Sequence, residues 1–158
     1  PQRSKSIPRS DLITINDKSE EMKVENRLHP NETQLKGFQE GDTDSPIYML
    51  NLLKFKERAE YEDGRQGDMT GEEAYGVYGR EVQAHIEKVG GKGIFLGNVS
   101  RLMLGEVEDL WDKVAIVMYP SRKAMMTMIQ DPDYQASAIH RKAGLLGQLN
   151  IEVKDNPF

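Results

Sequence analysis

His140 and Arg141 are adjacent residues whose side chains could carry out chemistry together. An imidazole titrates near neutral pH and suits a general base, whereas a guanidinium binds carboxylates through paired hydrogen bonds. One hypothesis is therefore that His140 is catalytic and that Arg141 holds an anionic group of a substrate. The alternative, which is the commoner role of charged side chains on helices, is that His140 bonds a carbonyl and Arg141 pairs with a carboxylate.

Five further residues are candidates for the lining of a binding site. Asn51 is polar in an otherwise apolar segment, and a buried amide must find hydrogen-bond partners either in a ligand or in the protein. Tyr75 and Tyr78 stand three apart on one helical face, where they could stack on an aromatic ligand beside Trp111 and Tyr119. Such a stripe is more often part of the core, so both roles stay open.

The remaining motifs favour neither a metal nor a cofactor. The chain has no cysteine, which excludes a thiolate nucleophile and a zinc site of the cysteine type. Glu81 and His85 lie four apart without a third ligand nearby, so a surface pair is favoured over a metal site. The sequence GGKG at 90–93 precedes a strand rather than a helix, which is the wrong order for a phosphate-binding loop.

Composition and charge limit the expected partners. The 21 basic and 26 acidic side chains give a net charge of −5, without the basic surface that nucleic-acid phosphates require. No apolar run approaches the ~20 residues that span a bilayer. We therefore expect no nucleic acid and no membrane as partner, and a cytoplasmic location is favoured. The compartment stays open, because a chain that begins at Pro1 is compatible with a removed signal peptide.

The apolar pattern predicts four strands with helices between them. Strands are predicted over 47–56, 93–100, 113–119 and 145–153, and the second could continue to residue 104 after a bend. A long helix follows Thr70, where the Thr-x-x-Glu pattern is typical of a capping box. Ser121, and then Asp131 with Pro132, mark the starts of two further helices.

The order of these elements is strand, helix, strand, strand, helix pair, strand. This βαββαβ order predicts a ferredoxin-like α+β fold, with a four-stranded antiparallel sheet that carries its helices on one face. The strands at 47–56 and 113–119 are apolar on both faces, so the second face should also be buried, most simply by a second copy of the sheet. We therefore expect a homodimer.

Three segments are expected along the chain. Residues 1–28 are charged and weakly patterned, which indicates an N-terminal arm that is partly extended or disordered. Residues 29–45 hold a short helix, capped by Asn31, and a linker. Residues 46–158 form the ferredoxin-like domain.

Five segments also carry a family resemblance. The segments, in order, are PIYMLNLLKFK, YEDGRQGDMTGEEAYGVYGREV, GGKGIFLG, LWDKVAIVMYPSRKAMMTMIQDPDYQ and IHRKAGL. Together they resemble the domain of unknown function 1330, a family of the dimeric α/β-barrel superfamily, over about residues 29–153. The resemblance implies a barrel formed by two ferredoxin-like subunits. It implies no reaction, although related barrels include cofactor-free monooxygenases and isomerases, an analogy at the level of the fold.

Two hypotheses about function follow. In the first, the chain is a cofactor-independent enzyme or binding protein with a pocket between the sheet and the helices, which takes a small aromatic or anionic molecule. In the second, it is a non-catalytic dimer that binds a ligand or serves a structural role, and the same residues belong to the core and interface. Loss of turnover with an intact dimer after mutation of His140 would favour the first.

Overall fold

The structure is a computed structural model that describes residues 23–65 and 67–158. The elements are, in chain order, α1 (Glu32–Gln39), β1 (Ile47–Phe55), α2 (Gly71–Lys88), β2 (Lys92–Asn98), β3 (Lys113–Tyr119), α3 (Arg122–Gln130), α4 (Pro132–Gly144) and β4 (Leu145–Val153). Most of the predicted arm, residues 1–22, lies outside the described residues.

The four strands form one antiparallel sheet in the order β2-β3-β1-β4. The central strands pair from Ile47 opposite Tyr119 to Leu53 opposite Lys113, and β4 pairs with the other side of β1. This strand order is that of the ferredoxin-like fold, so the predicted α+β class is confirmed. Within the described part of the chain the sheet is open, and one subunit alone does not close a barrel.

Side chains at the helix starts form the caps that the sequence predicts. Asn31 accepts a hydrogen bond from the backbone of Gln34, whose side chain bonds back to complete a capping box. Thr70 caps α2 and Ser121 caps α3 in the same position. Asp131 caps α4 with Pro132 in its first turn. Each cap sets the residue at which a helix begins.

The two faces of the sheet are buried to different extents. On the helix face, Ile47, Met49 and Leu53 of β1 are buried and contribute to the core. The opposite face is called here the open face. Its residues are identified by the alternation of side chains along paired strands, which point in turn to the two faces of the sheet. It comprises Tyr48, Leu50, Leu52, Val114, Ile116, Met118, Leu149, Ile151 and Val153. These residues are only half-buried or exposed, and Ile151 is 44% exposed.

Two glycines bring the ends of α2 and α4 into backbone contact. A Cβ on Gly71 would lie 2.6 Å from the carbonyl oxygen of Gly144 and would collide with the carbonyl oxygen of Lys56. Lys56 is bonded to both glycines, since its N–H donates to Gly144 and its carbonyl accepts from the N–H of Gly71. Only glycine fits at this crossing, which holds the two helices at a fixed distance over the sheet.

The second strand is shorter than the longest predicted extent. Its pairing with β3 ends at Asn98 opposite Lys113, followed by one bond from the N–H of Val99 to the carbonyl of Asp112. Beyond this point no partner strand continues, so residues 101–104 form a loop instead of a strand. Met103 and Leu104 in that loop are 95% and 88% exposed.

The described end of the N-terminal arm runs along the outer edge of β4. The N–H and carbonyl of Arg27 bond to the carbonyl and N–H of Gln148 at 3.0 and 2.9 Å. The chain then turns into α1, where the ring of Phe38 packs against the core. This segment forms a wall beside the helix face of the sheet.

Candidate functional site

A cavity of about 1430 Å³ lies between the helix face of the sheet and the helices. Its floor is formed by β1, β3 and β4, its sides by α2, α3 and α4, and one end by the segment that contains α1. Apolar and aromatic side chains supply most of the lining. Lining residues with amide, guanidinium or phenol groups include Asn51, Tyr75, Tyr78, Tyr119, Tyr134, Arg141, Gln148 and Asn150.

Aromatic rings form a continuous cluster along one side of the cavity. The ring of Tyr75 lies 5.4 Å from that of Phe55 and 5.3 Å from that of Tyr78. The hydroxyl groups of Tyr78 and Tyr134 are hydrogen-bonded at 3.0 Å. Such a cluster offers flat apolar surfaces together with phenol groups, an environment suited to an aromatic or otherwise apolar ligand.

Burial keeps the tyrosine hydroxyls of this cluster protonated. It raises the pKa of Tyr75 to about 12, and it raises the pKa of Tyr78 and of Tyr119 further above the ordinary value for a phenol. The nearby guanidinium of Arg141 opposes the shift at Tyr75 but does not cancel it. These side chains are therefore neutral hydrogen-bonding groups at neutral pH and not phenolate bases.

Asn51 stands in the middle of the floor with all of its hydrogen-bonding capacity in use. Its side-chain nitrogen donates to the carbonyls of Met49 and Ala115, each at 3.2 Å. Its side-chain oxygen accepts from the amide groups of Gln148 and Asn150 on β4. An amide has two donors and two acceptor sites, so Asn51 has none left for a ligand. Its role in the cavity is to orient the two neighbouring amides.

Arg141 extends from α4 into the cavity toward the floor. Its Nη2 donates to the side-chain oxygen of Gln148 at 2.9 Å and to the carbonyl of Leu28 at 2.8 Å. Among residues 23–65 and 67–158 no carboxylate forms an ion pair with it, and its Nε and Nη1 atoms make no hydrogen bond. A partly buried guanidinium in this state presents its positive charge to the cavity.

The charged side chains of the lining carry a positive excess. Three of them are acidic, namely Glu25, Glu72 and Glu152, and five are basic, namely Arg27, Arg80, Lys113, Arg122 and Arg141. Each acidic group is paired with a basic group of the same lining. Arg80, which is exposed, and Arg141, which is half-buried, are left over. A cavity with this balance attracts anions although the whole chain has a net charge of −5.

One end of the cavity is closed by an ion pair with two hydrogen bonds. Nε and Nη2 of Arg122 donate to the two carboxylate oxygens of Glu152 at 2.6 and 2.8 Å. The same guanidinium donates to the carbonyl of Glu40 at 2.8 Å, just after α1. These bonds hold the pKa of Glu152 below its ordinary value, although burial opposes the shift. The pair joins α3, β4 and α1 and leaves no charge of its own for a ligand.

His29 lies on the rim of the cavity, between the arm and α1. Burial lowers the pKa of His29, and the positive charges of Arg141 and Lys142 lower it further, against the opposing effect of Glu62. The residue as a whole remains exposed, and within the described residues neither ring nitrogen is hydrogen-bonded. A neutral imidazole next to a binding cavity is able to accept a proton.

The structure brings five of the seven residues singled out in the sequence together at the cavity, and two lie elsewhere. Asn51, Tyr75, Tyr78, Tyr119 and Arg141 are part of the lining. The residues outside it are His140 and Trp111.

His140 faces a different surface from Arg141, because successive helical residues point about 100° apart. Its Nδ1 is bonded to the hydroxyl of Tyr61 at 2.7 Å, and its Nε2 lies 3.8 Å from a carboxylate oxygen of Glu81. Trp111 donates from its indole nitrogen to the side-chain oxygen of Asn26 at 2.7 Å. These two side chains anchor the loop before α2 and the N-terminal arm.

Four of the lining residues named above are not singled out by the sequence, namely Tyr134, Gln148, Asn150 and His29. Gln148 and Asn150 alternate with apolar residues of β4, which is also the pattern of a strand with one solvated face, so only their pairing with Asn51 shows that they face the cavity. His29 lies in a segment without periodicity, and no sequence signal places it beside Arg141.

The sequence also predicts that the protein has no metal site and no membrane partner. Within residues 23–65 and 67–158 there is no group of three His, Cys, Asp or Glu side chains that could hold a metal ion. Over the same residues, no helix has the length and hydropathy needed to cross a bilayer.

Comparison with known proteins identifies the family to which this chain belongs. The family model described as domain of unknown function (DUF1330) matches residues 65–151. The chain therefore belongs to this family, as the resemblance of its sequence segments predicts. The match begins after β1, so the arm, α1 and the first strand lie outside it. No curated protein matches the chain at a significant level.

Solved structures extend the likeness over most of the chain. A protein of unknown function from Rhodopseudomonas palustris, RPA0582, is 34% identical with a TM-score of 0.75, over 84% of this chain and 99% of that one. A methylated form of RPA0582 gives 36% identity and a TM-score of 0.76, over 84% and 96%. A dimeric protein of ferredoxin-like fold from Bacteroides fragilis is 12% identical with a TM-score of 0.42, over 72% and 99%, which is too distant to bear on this chain.

Proposed function

We propose that this protein binds a small molecule with an apolar or aromatic body in the cavity between its sheet and helices. The observation that carries the proposal is the cavity itself, which lies beside the packed core between the sheet and the helices. A region between sheet and helices normally fills with side chains at close-packed density. An aromatic cluster and three hydrogen-bonded amides border a cavity of about 1430 Å³ that side chains leave unfilled, which fits the lining of a ligand pocket.

A matched pair of substitutions on α4 tests the proposal. Ala138 lines the cavity, whereas Ala136 on the same helix is exposed and lies outside the lining. We expect Ala138→Trp to abolish binding of anilinonaphthalene sulfonate, a fluorescent anion with an aromatic body, and Ala136→Trp to leave it unchanged. Native mass spectrometry of the purified wild-type protein would in addition detect a retained ligand. Equal probe binding by both variants would contradict the proposal.

The proposal includes a homodimer that covers the open face. Tyr48, Leu50, Ile116 and Ile151 belong to an apolar surface that continues across three strands, and none of the described residues covers it. An antiparallel sheet tolerates one solvated face when that face is polar, and this face is apolar. A second copy of the chain offers an equal surface, and two such sheets packed face to face would form the core of a barrel.

The oligomeric state is testable with two isoleucines of equal exposure. Ile151 on the open face and Ile139 on the outer side of α4 are both 44% exposed. We expect Ile151→Glu to shift the mass measured by light scattering from dimer to monomer, and Ile139→Glu to leave a dimer. A wild-type monomer, or a dimer in both variants, would contradict the proposed interface.

A second candidate function is a cofactor-independent enzyme, favoured by the position of His29. Its imidazole and the guanidinium of Arg141 share one cavity, so a base and an anion-binding group are both present. His29 rather than His140 is then the candidate for proton transfer, because His140 is outside the lining. We expect His29→Asn to abolish any turnover of a substrate found by screening. His85→Asn serves as the control, because His85 bonds Ser137 and lies outside the cavity.

A further inference from the structure

The cavity contains one chain of hydrogen bonds that starts in the sheet and ends on a cation. The side-chain oxygen of Asn51 accepts from the amide nitrogen of Gln148 at 3.1 Å. This fixes which end of the Gln148 amide faces Asn51 and turns its oxygen toward Nη2 of Arg141, 2.9 Å away. The orientation of Asn51 is fixed in turn, because its nitrogen already donates to two backbone carbonyls of the sheet. The backbone carbonyls thus determine which side-chain atom of Asn51 is the oxygen, and Asn51 in turn determines this for Gln148.

We propose that the ligand of this cavity is a carboxylate whose acidic group docks on Arg141, and that Asn51 is the positioning residue that aims this guanidinium through Gln148. The proposal rests on the ligand-binding function proposed above and names the chemistry of the ligand.

The charge balance of the cavity favours a single negative charge on the ligand. Arg122 and Lys113 are neutralised by Glu152 and Glu72, and Arg27 by Glu25. Arg141 is thus the half-buried cation of the lining that lacks an acidic partner among the described residues, while Arg80 is exposed at the surface. One partly desolvated guanidinium matches one carboxylate, and its Nε and Nη1 groups supply the donors.

The surroundings of Arg141 also define the rest of the ligand. Tyr75 lies close enough to Arg141 for the guanidinium to influence the pKa of its phenol. The ring of Tyr75 continues into the aromatic cluster through Phe55 and Tyr78. A ligand with its carboxylate on Arg141 would therefore place an adjoining aromatic or apolar group along this cluster, so an aryl carboxylate has the complementary chemistry.

The test compares two probes of equal shape, naphthoate and naphthamide, which differ in charge. Fluorescence titration of the full-length protein should show tighter binding of naphthoate. Arg141→Gln should reduce the affinity for naphthoate by about tenfold to a hundredfold, the effect of one charged hydrogen bond, and should leave naphthamide within about twofold. Arg58→Gln is the control, because Arg58 pairs with Asp68 outside the cavity.

Asn51→Leu tests the positioning role separately. Leucine is close to asparagine in size but removes the acceptor that fixes Gln148. We expect a loss of naphthoate affinity of about fivefold or more with naphthamide affinity unchanged, since an unfixed guanidinium loses part of its charged hydrogen bond. A role in folding alone would reduce the affinity for both probes together, which would overturn the assignment of Asn51.

The remaining outcomes separate this proposal from the more general one. Equal binding of both probes by the wild-type protein would overturn the carboxylate assignment and leave the cavity as an apolar binding site. A loss of naphthoate binding in Arg80→Gln but not in Arg141→Gln would move the anion to the surface and overturn the proposal. Binding of neither probe would contradict both the carboxylate assignment and the aromatic ligand class.

Discussion

Arg141 and Gln148 are joined by a hydrogen bond of 2.9 Å from the guanidinium Nη2 to the side-chain oxygen, so strand β4 fixes the direction of a cation carried by helix α4. The helix itself is held in place at its other contact, where Gly144 meets Gly71 of α2. The geometry of the cavity therefore depends on contacts at its edges as well as on its lining.

The glycine crossing of α2 and α4 should not tolerate a methyl group. A Cβ on Gly144 would collide with the carbonyl oxygen of Gly71 and lie 2.9 Å from the backbone nitrogen of Tyr75. We expect Gly144→Ala to lower the free energy of unfolding by about 1–3 kcal/mol, the usual cost of overpacking. Urea denaturation measures it.

Gly79 is the matched control for that substitution. It lies in the middle of α2, and a Cβ there would have no atom within 4 Å. Gly79→Ala should raise the free energy of unfolding by about 0.5–1 kcal/mol, because alanine loses less backbone entropy in a helix. Similar effects of the two substitutions would show that the helices do not touch at Gly144.

The ion pair between Arg122 and Glu152 should stabilise the closed end of the cavity. Both side chains are mostly buried, at 18% and 20% exposure. We expect Arg122→Met to lower the free energy of unfolding at pH 7 by about 1–3 kcal/mol, since the carboxylate is left without its partner. Lys123→Met, which removes an exposed pair with Asp44, should cost less than about 0.5 kcal/mol.

The same ion pair should appear in the acid dependence of stability. Arg122 lowers the folded-state pKa of Glu152 below its ordinary value of 4.5. The stabilisation is therefore complete above that value and is lost as the pH falls through the folded-state pKa. The free energy of unfolding of the wild type should decrease more steeply below pH 4.5 than that of Arg122→Met. Parallel pH profiles would contradict the ion pair.

Tyr75 should make the protein less stable at alkaline pH. Its folded-state pKa is about 12, whereas an unfolded tyrosine titrates near 10. Between these values the unfolded chain loses a proton that the folded chain retains, so the free energy of unfolding falls as the pH rises. Tyr75→Phe should have a flatter profile in this window. Identical slopes for the two proteins would indicate that Tyr75 is not buried beside the cavity.

Binding of an anionic probe should be linked to protonation of His29. Its pKa in the free protein is lowered from 6.5 by burial and by Arg141 and Lys142. A bound carboxylate nearby would raise that pKa, so binding takes up a proton and the affinity for naphthoate should increase as the pH falls through the pKa of His29. The increase should vanish in His29→Asn and persist in His85→Asn. A pH-independent affinity in the wild type would place the anion away from His29.

Much of the fold was predictable because local and long-range signals agree. The caps at Asn31, Ser121 and Asp131 mark helix starts through side chains that act within three residues, and the order of elements then leaves few topologies. The extension of β2 to residue 104 was wrong for a non-local reason. Apolar residues alone do not make a strand when the neighbouring strand has ended.

The sequence predicted residues of the candidate site only where their type and spacing indicate that they are buried. The stripe of Tyr75 and Tyr78 and the isolated amide of Asn51 follow from periodicity, and all three lie at the cavity. Of the adjacent pair His140 and Arg141, only Arg141 lines the cavity, because neighbouring residues of a helix point about 100° apart. The catalytic role of His140 stays a prediction. The saturation of Asn51 depends on which residues of β4 stand opposite it, and this register is set by tertiary packing.

A crystal structure of the protein with naphthoate bound would show directly whether the ligand's carboxylate docks on Arg141. We expect the carboxylate within hydrogen-bond distance of Nε or Nη1 of Arg141, the ring beside Tyr75, and the bond between Gln148 and Arg141 preserved. Naphthoate bound on the open face, or with its carboxylate on Arg80 and its ring outside the cavity, would contradict this binding mode.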